Sequence, residues 1–237
     1  ALRLLPPIHP VPIKPTVILF DGADWPNRRR GRTRGADAEA AMSRSMRERR
    51  MGIPRGRALR GKTAGIVGLG GIGRALIRRL KAFDMRIIGI RRQDPRSAAE
   101  ELGLAWSGGP HQLKELLGQS DFVVLCLPLT DESRNLMNRD TFGAMKRDAF
   151  LINLSRGGLV DRDALEQALA TGVIAGAGLD VFWEEPPDPD DPVFRHNVIA
   201  TPHIGGSTDL SIGGIKDVVA ENIRRLARGE KPLHVKN

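Results

Sequence analysis

The stretch Thr63-Ala-Gly-Ile-Val-Gly-Leu-Gly-Gly-Ile-Gly73 constrains this chain more than any other. An apolar run from Ala64 to Val67 meets Gly68, Gly70 and Gly73 in G-x-G-x-x-G spacing, with Gly71 and Ile72 inside the turn. A helical pattern follows at once. Leu76, Ile77, Leu80 and Phe83 share one face, while Arg74, Arg78, Arg79 and Lys81 fall elsewhere. Each glycine answers a physical need: Gly68 allows the tight strand-to-helix turn, Gly70 lets backbone approach a pyrophosphate, and Gly73 lets helix and strand pack closely. The N–H groups of the helix's first turn, helped by the helix dipole, then face the anion. Glycines also serve ordinary turns; the strand before and the helix after favour the nucleotide-binding reading.

At 237 residues, with 41% hydrophobic and 27% charged residues, the chain has a globular composition and enough length to bury a core. No apolar run approaches the ~20 residues that span a bilayer. The start has no long apolar signal-peptide core, so a cytoplasmic protein without a membrane partner is expected. Cys126, the only cysteine, lies in the apolar run 122–127 and reads as a buried, inert strand thiol. No metal site is expected. The net charge of +9 is local: residues 28–62 hold thirteen Lys or Arg against Asp37, Glu39 and Glu48, which leaves the rest near neutral. That block has no interleaved aromatics and no nucleic-acid-binding motif, so a solvated basic face is expected rather than a nucleic-acid partner.

Prolines between Pro6 and Pro15 preclude a regular element there, and 27–35 reads as an exposed basic loop. A short strand is expected at Thr16–Phe20 and a helix over Ala36–Arg50, stopped by Gly52-Ile-Pro54. From Lys62 onward the rhythm is regular. Strands are expected at Thr63–Val67, Arg86–Ile90, Phe122–Leu127, Ala149–Leu154, Ala175–Asp180 and Asn197–Ala200. Helices are expected between them at Ile72–Phe83, Ser97–Leu102, His111–Leu117, Asn138–Ala144 and Arg162–Ala170, the last capped by Asp161. A final helix over Asp209–Arg228 carries Ile212, Ile215, Val219, Ile223 and Leu226 on one face and stops at Gly229. Near-continuous apolar strands alternating with helices specify an α/β fold, a doubly wound parallel sheet of Rossmann type.

The acidic residue that would bond an adenosine ribose is missing after the second expected strand. Arg91 and Arg92 stand there instead and suit a 2′-phosphate, so NADP is favoured and NAD remains possible. Polar residues then gather at the ends of the later strands, where open α/β sheets bind ligands. Asn153-Leu-Ser-Arg156-Gly-Gly-Leu-Val-Asp161 follows one strand, Gly178-Leu-Asp180-Val-Phe-Trp-Glu-Glu185-Pro186 the next, and Thr201-Pro-His203-Ile-Gly-Gly206 the last. Each has a bland account as loop chemistry; together they outline a site.

With Gly68–Gly73, these three segments resemble the D-isomer-specific 2-hydroxyacid dehydrogenases, a family that includes phosphoglycerate dehydrogenases and glyoxylate/hydroxypyruvate reductases. The resemblance runs from about Arg57 to the Val235-Lys-Asn end. It implies that Arg156 holds the substrate carboxylate and polarises its carbonyl, that His203 is the general acid or base, and that Glu185 orients it. It also implies that Asp180, Leu127, Pro128, Leu154, Ser155, Gly205 and Gly206 line the cofactor with the glycine turn. The chemistry suits these types. Hydride delivery to a 2-keto acid builds negative charge on oxygen, which needs a proton donor and a fixed cation. An arginine fork also matches a carboxylate.

Family members carry a substrate lobe ahead of the nucleotide domain, so the resemblance implies a truncated second lobe here. The expected division is 1–56 as lobe remnant and first interdomain helix, 57–205 as the dinucleotide domain, and 206–237 as the returning helix and tail. A homodimer and a small 2-keto or 2-hydroxy acid substrate are implied as well. The alternative on this fold is a non-catalytic dinucleotide sensor like the C-terminal-binding corepressors; retention of Arg156, Glu185 and His203 favours the enzyme.

Overall fold

A computed structural model describes residues 18–20, 42–51 and 56–234. In chain order, β1 (Ile18–Phe20) pairs antiparallel with β2 (Gly56–Ala58), and residues 42–47 form the helix α1. The rest alternates strand and helix: β3 (Thr63–Val67), α2 (Gly71–Lys81), β4 (Arg86–Ile90), α3 (Ala98–Leu102), β5 (Trp106–Gly108), α4 (Leu113–Gln119), β6 (Phe122–Leu125), α5 (Arg139–Gly143), β7 (Phe150–Asn153), α6 (Arg162–Ala170), β8 (Gly176–Leu179), β9 (Val198–Ala200) and α7 (Asp209–Ala227). Strands β3 to β9 make one parallel sheet in the order β5-β4-β3-β6-β7-β8-β9. The order therefore turns back on itself between β3 and β6, and the glycine turn that follows β3 opens at that switch point.

Both faces of the sheet's centre are buried, which is why its strands read as unbroken apolar runs. Side chains alternate between the two faces with the period of two that a strand imposes. Ala64 and Ile66 of β3 and Ile87 of β4 pack with Ile77, Met85, Ala98 and Leu104 on one side. Val67, Ile88, Ile90, Val123 and Leu125 pack with Leu116, Leu117, Phe142 and Leu165 on the other. Asp161 caps α6 by accepting from the Ala164 N–H at 2.8 Å. No described helix is long and apolar enough to cross a membrane.

Two expectations need correction. The sheet has seven strands rather than six, because Trp106–Gly108 forms the β5 edge beside β4. The helix expected at His111–Leu117 is a 3-10 turn at Pro110–Gln112 followed by α4, with Pro110 opening the turn. The apolar stripe of the last helix is present but bare: Ile215, Val219, Ile223 and Leu226 are all more than half exposed. Thr16, Val17 and Ala36–Ala41, like Gly52-Ile-Pro54 and Val235–Asn237, lie outside the described residues, as does nearly all of the 1–35 segment.

Candidate active site

The glycine turn has the geometry its spacing predicts. Gly68 lies at φ +102°, and a Cβ on it would sit 2.6 Å from the Cys126 carbonyl oxygen. A Cβ on Gly73 would overlap the Gly68 carbonyl oxygen, so helix and strand approach as closely as backbone allows. Gly70 and Gly71 are different: a Cβ on either would meet nothing within 4 Å. The backbone there borders open space. Helix α2 begins above it with no side-chain cap and no acidic residue in its first turn. Bare N–H groups, the positive end of a helix and a vacant approach together fit a pyrophosphate. Ile72, Leu154 and Ile204, each at the carboxyl-end side of a strand and 43–60% exposed, supply apolar surface around it.

Arg91 and Arg92 follow β4, but they differ in situation. The Arg91 side chain is only 16% exposed and its guanidinium is engaged by its own chain. Nε donates to the Asp94 carbonyl at 2.9 Å, NH2 to Ser97 Oγ at 2.8 Å and NH1 to Glu101 Oε2 at 2.8 Å. Arg92 is 76% exposed and meets only the equally exposed Glu132, at 3.3 Å. Of the two guanidiniums expected to meet a phosphate, Arg92 stands in solvent and Arg91 is held by its own chain.

The loops after β7, β8 and β9 are wired to each other. Ser155 is buried and donates from Oγ to the Leu125 carbonyl at 2.8 Å, which ties the loop after β7 to the end of β6. There Leu127 and Pro128 begin a turn held by Ser133 Oγ, which donates to the Pro128 carbonyl at 2.9 Å. Buried Asn153 accepts from the Ser155 N–H and donates to the Arg156 carbonyl, fixing the backbone under Arg156. Gly157 lies against the Phe182 carbonyl so closely that a Cβ would overlap it. Trp183 Nε1 donates to the Val160 carbonyl at 2.6 Å, fastening the same two loops a second time.

The third loop hangs on Asp180. This carboxylate is 4% exposed and accepts from the Thr201 hydroxyl, the Ile204 N–H at 3.0 Å and the Gly205 N–H at 2.8 Å. Burial alone would push its pKa up, but these three hydrogen bonds together hold it below the usual aspartate range. A Cβ on Gly205 would press on Asp180 Oδ2, whereas Gly206 faces open space. His203 sits within this loop at φ 53°, a left-handed backbone that a non-glycine residue adopts only under local constraint. Asp180 provides that constraint from both of its oxygens.

The three side chains singled out from the sequence converge. His203 Nδ1 lies 2.8 Å from Glu185 Oε2, and Glu185 Oε1 accepts from the Phe182 N–H at 3.1 Å. The His203 hydrogen bond, then the Phe182 N–H and the positive charge of Arg156, hold the Glu185 carboxyl below its ordinary range. Arg156 is exposed and forms no ion pair among the described residues; NH1 donates to the carbonyl of its own neighbour Ser155. The arrangement is an imidazole oriented by a carboxylate beside an unpaired guanidinium, all in solvent contact. Such a group can move a proton and hold an anion. Asn153, Trp183 and Thr201, which position these loops, carried no sequence signal beyond lying inside the same segments. Cys126 is buried, and burial pushes its thiol up to about 11, so it is inert as expected.

A sequence profile of the D-isomer specific 2-hydroxyacid dehydrogenase NAD binding domain matches residues 33–205. The chain is 41% identical over 183 residues to a D-3-phosphoglycerate dehydrogenase from Methanocaldococcus jannaschii, covering 77% of this chain and 34% of that one. It is 45% identical over 172 residues to a glyoxylate reductase from Pyrococcus horikoshii, covering 73% of this chain and 50% of the relative. The chain thus spans about half the length of such relatives, or less. A crystal structure of a D-isomer specific 2-hydroxyacid dehydrogenase from Xanthobacter autotrophicus in complex with NADPH and MES superposes with a TM-score of 0.71 at 34% identity, over 83% of this chain and 79% of that one. On this match of sequence and fold, the chain belongs to the D-isomer specific 2-hydroxyacid dehydrogenase family and carries its NAD binding domain.

Proposed function

We propose that this chain is the nucleotide-binding part of an oxidoreductase that interconverts a D-2-hydroxy acid and its 2-keto acid. The observation that carries the reading is the His203–Glu185 pair at 2.8 Å with Arg156 unpaired nearby. Gly68 to Gly73, Leu127, Pro128, Leu154, Ser155, Gly205 and Gly206 would hold the dinucleotide, and Asp180 would face its nicotinamide. Its nicotinamide supplies the hydride. Arg156 binds the substrate carboxylate with its guanidinium fork and draws electron density from the adjacent carbonyl. His203 donates its Nε2 proton to the carbonyl oxygen in reduction and takes it back in oxidation. Glu185 accepts from Nδ1–H, which orients the ring and leaves Nε2 to the substrate.

Arg92, with Arg91 behind it, inclines the site toward NADP by a modest margin over NAD. Residues 57–205 form the dinucleotide domain, 206–237 the returning helix and tail, and 1–56 the segment that leads into it. The exposed stripe of α7 supports assembly into a homodimer or larger species. The test is a scan of 2-keto acids with NADPH and NADH on these 237 residues, beside titration of each cofactor. Ordinary cofactor affinity with slow turnover is expected, because poor positioning of a substrate alone costs roughly 100-fold in rate. Absence of cofactor binding overturns the proposal.

A further inference from the structure

We propose that Glu101 is a cofactor-specificity residue: it supplies, from α3, the carboxylate that the dinucleotide fold ordinarily places after its second strand, and it limits the preference for NADP by holding Arg91. The inference rests on the cofactor reading above.

Arg91 directly follows β4, whose last residue, Ile90, accepts from the Gly68 N–H at 3.0 Å. The guanidinium is therefore rooted beside the glycine turn. In doubly wound folds the side chain at this place meets the adenosine ribose: an acidic residue bonds the 2′-hydroxyl, an arginine a 2′-phosphate. This chain has the arginine, yet Arg91 NH1 is held by Glu101 Oε2 at 2.8 Å. The other oxygen of Glu101 takes NH1 of Arg74 at 2.5 Å, and Arg74 Nε donates to the Leu69 carbonyl at 3.2 Å. One carboxylate thus bridges the first turns of α2 to the residue after β4. The two guanidiniums hold its pKa below the ordinary range, Arg74 foremost, so it is charged at neutral pH.

A 2′-phosphate that engages Arg91 must displace this carboxylate or sit beside it, and like charges around one guanidinium repel. A 2′-hydroxyl faces no such conflict, since a carboxylate accepts its hydrogen bond. Arg91 stays oriented without Glu101, because Nε and NH2 remain tied to Asp94 and Ser97. Glu101 is exposed, so its replacement leaves the core untouched.

The experiment is titration of NADPH, NADH, 2′,5′-ADP and 5′-AMP into the chain, by calorimetry, for the wild type, Glu101→Gln, Glu101→Asp, Arg91→Gln and Glu101→Gln/Arg91→Gln. Glu101→Gln should tighten NADPH and 2′,5′-ADP by roughly tenfold, the scale of one charged hydrogen bond, and leave NADH and 5′-AMP within about twofold. The shorter Glu101→Asp, unable to bridge both arginines, should move the same way by less. In the Arg91→Gln background the gain should vanish. An unchanged NADPH-to-NADH ratio in Glu101→Gln overturns the inference, and so does an equal gain without Arg91, which would mark only the field of a nearby charge. If none of the four ligands binds the wild type, the cofactor reading fails and this inference with it.

Discussion

Glu185 Oε2 lies 2.8 Å from Nδ1 of His203, so Nε2 is the ring nitrogen left for a substrate. Because the Glu185 carboxyl is held low by that hydrogen bond first, the carboxylate stays charged to lower pH than an ordinary glutamate. The pair breaks only as pH falls through that depressed value, and its effect is present from there upward. Glu185→Gln should flatten the acid limb that follows Glu185 protonation, and His203→Ala should cost about 100- to 10,000-fold in kcat. Matching pH–rate profiles for the wild type and Glu185→Gln would show the two groups uncoupled.

Arg156 offers a cleaner separation of fold from function. Its side chain is exposed and, among the described residues, bonds only to the adjacent Ser155 carbonyl, so Arg156→Gln should leave the melting temperature unchanged. On the proposed role of Arg156, loss of this cation should lower kcat/KM by about 100- to 1,000-fold. Arg156→Lys restores charge without the fork and should recover little of it. Full activity in the lysine variant would remove the bidentate role.

Two glycines of the same turn should respond in opposite ways to alanine. A methyl group on Gly70 enters open space at an ordinary φ of −78°, so stability is kept while dinucleotide affinity drops. A methyl group on Gly73 meets the Gly68 carbonyl and should cost ~1–3 kcal/mol of stability. Thermal melts beside NADH titrations read the contrast; a destabilised Gly70→Ala that still binds would contradict it.

Asp180 ties stability to pH. Its folded pKa lies below the unfolded one, so its contribution is full above the ordinary aspartate range and is lost as pH falls through the depressed value. Asp180→Asn removes an acceptor from a buried site that serves two backbone N–H groups and a hydroxyl. That should cost ~1–3 kcal/mol at neutral pH. The variant's melting temperature should also depend less on pH in the acid range. An unaltered acid limb would place the effect elsewhere.

The stripe of Ile215, Val219, Ile223 and Leu226 on α7, all more than half exposed, should be covered in solution. Light scattering at tens of micromolar is expected to report a dimer or larger species. Lysine at Ile215 and Ile223 should lower that mass without unfolding the domain. A monomeric mass for the unmutated chain would count against assembly.

Much of this was legible because each central strand is buried on both faces and therefore spelled as a pure apolar run. Thr63–Val67 and Arg86–Ile90 match the expected strands to the residue, and α6 matches its expected span behind the Asp161 cap. The edge strand β5 escaped notice because Trp-Ser-Gly has neither alternation nor length. The site side chains were visible since they stand immediately after apolar strands, where the backbone must leave the sheet. What joins them was not. The bond from Trp183 to Val160 spans 23 residues and that from Arg91 to Glu101 spans 10, and no local pattern marks either. The engagement of Arg91 by its own chain was invisible in the sequence for that reason.

The contact between Gly157 and the Phe182 carbonyl leaves no room for a methyl group. The loop bearing Arg156 and the loop bearing Glu185 are consequently cut to each other, like the halves of a tally stick. A graft of either from a relative would meet a backbone shaped for a different mate. In this chain the unit that can be exchanged is the matched pair of loops, since a side chain at position 157 would force the loop of Phe182 to move with it.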